Sequence, residues 1–214
     1  MTDETATRRG RVGWGTLTRG QIVDAAIAVV RAGGYEQMTI RSLADVLGVA
    51  PMSLYRHVKD KDDLLDDVVD RLLARAWRPT TGAEDWRAWT AEAAERLRRF
   101  LVAQPVALHV YLTHPVVSPA AIVRMDAMME VLRSRGVTEE AARRAYAALH
   151  TYTVGFAALE ASRAAWQPDA EADQTAIQLA SYTTPTQFAV GLGYLIQGIE
   201  HDRAVSPPLR GEIP

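Results

Sequence analysis

Cysteine is absent from the 214 residues. That excludes disulfides, thiolate nucleophiles and cysteine-based metal sites, and it fits a reducing compartment. Lysine is nearly absent too: Lys59 and Lys61 are the only two, so arginine carries most of the positive charge. No apolar run approaches the roughly 18 residues a membrane helix needs. The polar start, Met1 to Gly15, has no apolar signal-peptide core. The chain is therefore expected in the cytoplasm. Strand signals and internal repeats are also missing. So are a Gly-rich phosphate loop, a serine elbow and the His-Glu-x-x-His metal spacing. His109 and His114 lie five positions apart, a poor fit to one helix face. Neither enzymatic activity nor a cofactor or metal is expected.

What remains is a chain rich enough in apolar residues, at 48%, to build a packed interior. Its length suits one large core, or a domain of about 50 residues followed by a larger one. The net charge of −2 hides an asymmetry. Residues 8–61 hold nine Lys and Arg against four Asp and Glu, whereas residues 62–214 hold fifteen against twenty. A basic module for a polyanion, joined to an acidic partner domain, accounts for that split.

Helix signals recur throughout. Thr18 caps a first helix with Ile22, Ala25, Ala26, Val29 and Val30 on one stripe, and Gly33-Gly34 stops it. Thr39 caps a second, Ile40 to Leu47, and Pro51 opens a third carrying Met52 to His57. Asp60 and Asp63 resemble a capping box for a fourth, with Leu64, Leu65, Val68, Leu72 and Trp77 apolar. Its acidic run (Asp62, Asp63, Asp66, Asp67, Asp70) reads as a solvated face with favourable charge at the helix start. A fifth helix is expected over 85–103, a sixth over 105–113, a seventh from Ser118-Pro119 to Arg135, and an eighth from Thr138 to about Trp166. Residues 167–183 read as irregular with at most one short helical piece. Thr184-Pro185 starts a last helix with Phe188, Leu192, Leu195, Ile196 and Ile199 in register. The fold class is all-α. The expected domains are a flexible arm (1–15), a three-helix bundle (16–62), a larger helical domain (63–202) and a flexible tail (203–214).

Thr39 to His57 carries the sharpest motif. Two short helices meet at Gly48, where a left-handed turn suits glycine. Ala44 is small where the helices must approach, and Val49 and Leu54 are apolar. This is a helix-turn-helix, whose second helix lies in the major groove. The exposed face of that helix offers Met52, Ser53, Arg56 and His57. Arginine reads guanine bidentately, and methionine or serine touches base edges or a thymine methyl. Tyr55, Lys61, Thr39 and Arg41 suit phosphates, which fix register without reading sequence. On these residues alone, a plain helical segment with a solvated charged face stays open as the alternative.

Residues 17–65 resemble the DNA-binding domain of the TetR family of bacterial regulators. "DAA", "GG", "LA", "LGV", "LY", "HV" and "K" follow in order and without gaps. The resemblance implies that Thr39, Arg41, Met52, Ser53, Tyr55, Arg56, His57 and Lys61 face double-stranded DNA. Arg8, Arg9 and Arg11 form either a disordered tail or an arm reaching phosphates. Over about residues 84–202, "RSRGVTEEAA", "TVGFAALE" and "FAVGLGYLIQGIE" resemble the tetracycline-repressor type of C-terminal domain. That likeness implies a homodimer built from the eighth and last helices, and a small-molecule cavity enclosed by the fourth to eighth.

Small residues in the eighth helix and Gly191, Gly193 and Gly198 in the last agree with close helix packing, within one subunit or between two. Projecting the family's cavity gives Trp77, Trp89, Ala93, Leu97, Tyr111, His114, Met125, Met128, Tyr146 and His150 as ligand contacts. Trp77, Ala93 and Met128 replace the family's drug-binding polar groups, and Tyr111 or a neighbour stands where the drug's magnesium would be held. These departures argue against a tetracycline–magnesium ligand and for a flat, mainly apolar molecule. The expected function is a ligand-responsive repressor. An activator, or a helical DNA-binding or adaptor protein without a ligand, is the alternative.

Overall fold

In the computed structural model, residues 17–76, 85–113, 118–164 and 174–205 are described. Every regular element among them is helical. Two compact units divide after Val69, inside one helix.

In the N-terminal unit, α1 (Arg19–Gly33) starts at a reciprocal capping box. Thr18 accepts from Gln21 N–H, and the Gln21 side chain accepts from Thr18 N–H at 2.9 Å. Val23 and Ile27 join Ile22, Ala25 and Ala26 in the interior while Val29 and Val30 are only half-buried, so the buried face lies nearer the helix start than the stripe expected from the sequence. A short 3-10 turn, Tyr35–Gln37, leads to α2 (Ile40–Leu47). Gly48 caps α2 in the left-handed conformation, φ 68°, where a Cβ would be strained. The next helix, α3 (Pro51–Leu54), is shorter than its pattern predicts. Tyr55 to His57 continue it as a turn, with His57 and Val58 N–H both donating to Leu54 O. Leu43, Ala44, Leu54 and Val58 are buried, which fixes the two short helices together.

The dividing helix is α4 (Lys61–Ala76). Asp60 accepts from Asp63 N–H at 2.9 Å, but Asp63 accepts from Lys59 N–H and not from Asp60, so the box is displaced by one residue. Its acidic run is not simply solvated, contrary to expectation. Asp63 and Asp67 pair with Arg19, and Asp70 accepts from Ala120 N–H at 2.6 Å.

The second unit contains α5 (Trp86–Ala103), α6 (Pro105–Thr113), α7 (Pro119–Arg133), α8 (Glu139–Ala164), α9 (Gln174–Ala180) and α10 (Pro185–Val205). Asp85 and Ser118 cap α5 and α7 through side-chain oxygens. Thr138 and Thr184 accept from Ala141 and Gln187 N–H, both at 3.3 Å. The helix α7 stops two residues earlier than predicted, and α10 runs on past Arg203, where a frayed tail was expected. Packing is centred on α8, which receives α5, α7, α6 and α10. Trp86, Trp89, Leu132, Leu149, Phe188 and Leu192 belong to the interior these helices share. Among the described residues no helix is long and apolar enough to cross a membrane, and no cluster of His, Asp and Glu is placed to hold a metal ion.

Candidate DNA interface and effector cavity

Of the eight residues expected to face DNA, Met52 and Tyr55 are the most open of the large apolar or aromatic ones, at 73% and 51% exposure. Arg56 and Arg41 are exposed, and Ser53 and His57 are half-buried. Thr39 is committed to its cap: its hydroxyl accepts from Ser42 N–H, and Ser42 Oγ accepts from Thr39 N–H, each at 3.0 Å. Lys61 is half-buried, its ammonium 3.9 Å from the Tyr35 ring centroid, so a cation–π contact steadies that charge. Thr39 caps α2, and the other seven lie on α2, α3, the turn after α3 and the start of α4.

A ninth residue escaped the sequence reading. Arg19 donates from Nη1 to His57 O at 2.7 Å, from Nη2 to Asp63 at 2.8 Å and from Nε to Asp67 at 2.5 Å. One guanidinium thus ties α1, the end of the α3 turn and α4. The two carboxylates raise the Arg19 pKa, and the Arg19 hydrogen bond holds Asp63 below the usual carboxylate range. No local pattern marks this contact, because the partners lie 38 to 48 residues away in sequence.

The second unit contains a partly open cavity of about 270 Å³ between α5, α6, α7 and α8. Ala93, Leu97, Tyr111, Met125, Met128, Tyr146 and His150 of the expected set lie in its wall. Trp89 does not: it is buried at 7% exposure among core side chains. An aromatic at helical spacing fits a core and a ligand wall equally well, so periodicity could not decide between them. Trp77 and His114 fall outside the described residues. The wall also contains Ala94, Ala121, Arg124, Leu149 and Thr153, which the sequence reading missed.

His150 sits between two tyrosines, stacked on Tyr146 at 5.5 Å between ring centroids and tilted against Tyr111 at 5.7 Å. Burial lowers its pKa and keeps the imidazole neutral at pH 7. Burial also pushes Tyr111 up to about 12, against the pull of the Arg124 charge, and raises Tyr146. The cavity therefore offers two neutral phenols, a neutral imidazole and one cation among aliphatic and thioether groups.

The neutral imidazole makes a pH prediction. The unfolded chain takes up a proton near the ordinary histidine value of 6.5, and the folded chain only at lower pH. Stability should therefore fall as pH drops from 6.5 towards the folded value, and His150→Phe should flatten that decline. Thermal melts of both proteins across this range measure it. Parallel curves would mean that His150 is hydrated and titrates normally.

Two family descriptions match this chain. Residues 22–68 match the bacterial regulatory proteins of the tetR family, and residues 78–203 match the tetracyclin repressor-like C-terminal domain. The chain belongs to the TetR family of regulators. It is 32% identical over 144 residues to an HTH-type transcriptional regulator of Saccharopolyspora erythraea, covering 67% of this chain and 61% of that protein. It is also 32% identical over 143 residues to the HTH-type transcriptional repressor DrrR1 of Streptomyces coeruleorubidus, covering 66% and 53%. The matched stretch is thus less than two thirds of either relative. Among solved structures, apo ActR from Streptomyces coelicolor superposes with a TM-score of 0.73 at 26% identity, over 90% of this chain and 99% of that one. ActR has also been solved in complex with actinorhodin.

Proposed function

We propose that this protein is a cytoplasmic, homodimeric transcriptional repressor, not an enzyme, which binds a palindromic operator and is released by a small, mainly aromatic molecule. The observation that carries the proposal is the pairing, in one chain, of an exposed helix-turn-helix face at Met52, Tyr55 and Arg56 with an apolar cavity lined by two tyrosines and a histidine. The repressor DrrR1 and the actinorhodin complex of ActR support both halves of it.

The dimer reading has its own support. Leu159, Val190 and Tyr194 are exposed on α8 and α10 at 51%, 44% and 70%. A Cβ at Gly155, Gly193 or Gly198 would meet nothing within 4 Å, so packing inside this chain does not demand those glycines. A second copy packed on this surface would. Gly191 differs: a Cβ there would collide with the Tyr152 hydroxyl, which donates to Phe188 O at 3.0 Å. A two-fold dimer places its reading heads about 34–36 Å apart, one turn of DNA. The helix α4 belongs to both units, and in the second its described hydrogen bonds go to α7. A ligand that moves α7 therefore acts, through those hydrogen bonds, on a helix that continues into the N-terminal unit. It shifts the equilibrium only if it binds the two conformations with different affinity.

The test is retardation of DNA flanking the chain's own gene, lost at high salt and on adding effector. Arg56→Ala should cost about 1–3 kcal/mol of discrimination at one position of each half-site. Lys61→Ala should weaken all sequences alike and reduce the salt slope by about 1. Binding across an operator library at two salt concentrations separates the two variants. An unchanged Arg56→Ala profile removes that residue from base readout, and a protein that stays monomeric at working concentration ends the proposal.

A further inference from the structure

The reading segment is too short to hold its own shape. Helix α3 has four residues, far below the length at which a helix is stable alone, and the turn after it ends at His57. Leu54 and Val58 anchor this segment in the interior. Its last carbonyl, His57 O, accepts from Arg19 Nη1 at 2.7 Å.

The first turns of α4 hold the rest of the same fork. Asp63 and Asp67 are four positions apart, so they share one face of that helix. Arg19 Nη2 donates to the first at 2.8 Å and Nε to the second at 2.5 Å. Asp63 also accepts from Lys59 N–H at 2.9 Å, which fixes the link between the reading turn and α4. A guanidinium has its donors at fixed angles, so its partners cannot move independently. Bonds of this kind tolerate about 0.5 Å of stretch. The side chains of Arg19, Asp63 and Asp67 keep 42%, 32% and 34% exposure, and ion pairs this open add little to folding stability. What the convergent partners supply is orientation, of the turn that carries Arg56 and His57 against the helix that starts at Lys61.

We infer that Arg19 is a positioning residue for operator binding: without touching DNA, it locks the end of the reading turn to α4, so that Arg56 and Lys61 meet a duplex in one fixed relation. The inference rests on Met52 to His57 being the segment that reads DNA.

The experiment uses the full chain and a duplex that the wild-type protein selects from a random-sequence pool. Arg19→Gln should weaken binding about tenfold or more, the scale of one lost hydrogen bond to a charged group. The salt slope should stay unchanged, because no phosphate contact is lost. Arg19→Lys should recover little, since a point charge does not replace the fork. Asp67→Asn should also weaken binding several-fold, although it removes a negative charge from a protein that binds a polyanion. Asp62→Asn makes the same change of charge at an exposed residue of the same helix and should not weaken it. In the free protein, hydrogen exchange at the His57 and Val58 amides should quicken in Arg19→Gln and Asp67→Asn, with α1 and α2 unchanged. Equal affinity of wild type and Arg19→Gln would overturn the inference. A salt slope lowered by about one, with binding restored by Arg19→Lys, would do so too, by making Arg19 a direct phosphate contact. Equal or tighter binding by Asp67→Asn has the same consequence, and that variant decides the matter if Arg19→Gln melts below the assay temperature. A wild-type protein that selects no duplex would end both the inference and the DNA-reading assignment beneath it.

Discussion

Replacing Phe188 with alanine is expected to remove about 3–5 kcal/mol of folding stability. Phe188 lies in the first turn of α10, 1% exposed. Its ring stacks on Tyr152 at 5.3 Å between centroids, meets Phe156 edge-on at 5.1 Å and lies 5.3 Å from the Arg98 guanidinium. Truncation removes the transfer energy of a whole ring and leaves a void that three large neighbours cannot easily fill. Each lost aromatic pair adds about 0.5–1.5 kcal/mol beyond area. Since domains are typically stable by only about 5–15 kcal/mol, this loss is a large share of the total. Because α10 also carries Val190 and Tyr194 of the proposed dimer surface, the proposed dimer should be weaker in this variant too. Denaturant unfolding at matched protein concentration measures the first effect and sedimentation the second. A loss under about 1 kcal/mol would show that the start of α10 is not packed as described.

Where a helix begins was largely legible, because a cap is a local event. Thr18, Thr39, Ser118, Thr138 and Thr184 each sit before an apolar-periodic run, and each caps in the structure; Asp85, expected as the first residue of its helix, is the cap one position before it. Where a helix ends was less so. The α3 pattern runs to His57, but the regular helix stops at Leu54, and Arg19 takes the His57 carbonyl from 38 residues away. Long-range partners were the general blind spot. Arg19, Arg98 and Arg124 look in sequence like any solvent-facing arginine of an Arg-rich chain, yet Arg98 and Arg124 are buried. The acidic run of α4 misled for the same reason, since a carboxylate awaiting a distant guanidinium has the same local pattern as one awaiting water. In the cavity, Tyr111, Met128, Tyr146 and His150 came from family likeness, whereas Arg124 and Thr153 had no signal of their own. Thr153 hides because its hydroxyl is already spent on Leu149 O at 2.7 Å.

Arg98→Met is expected to cost about 3 kcal/mol or somewhat more, towards the lower end of the range for breaking a buried ion pair. Arg98 is 4% exposed on α5. It grips Glu95 with a fork of 2.8 and 2.7 Å, reaches Glu160 on α8 at 2.5 Å and lies over Phe188 on α10. One cation therefore joins three helices, and both carboxylates raise its pKa. Its loss leaves Glu160, whose side chain is only 18% exposed, short of both a partner and water. Glu95, at 35%, can rehydrate, which keeps the cost from the top of the range. Arg98→Met combined with Glu160→Leu should recover most of the loss, because the orphaned charge goes with its partner. Salt should change the difference from wild type little, since buried pairs are weakly screened. Arg98 and Phe188 touch, so their double variant should deviate from additivity by about 0.5–3 kcal/mol. Additive losses would mean the two side chains stabilise α10 independently. If the single variant costs less than 1 kcal/mol, the pair behaves like a surface contact and the three-helix tie does not hold the domain together.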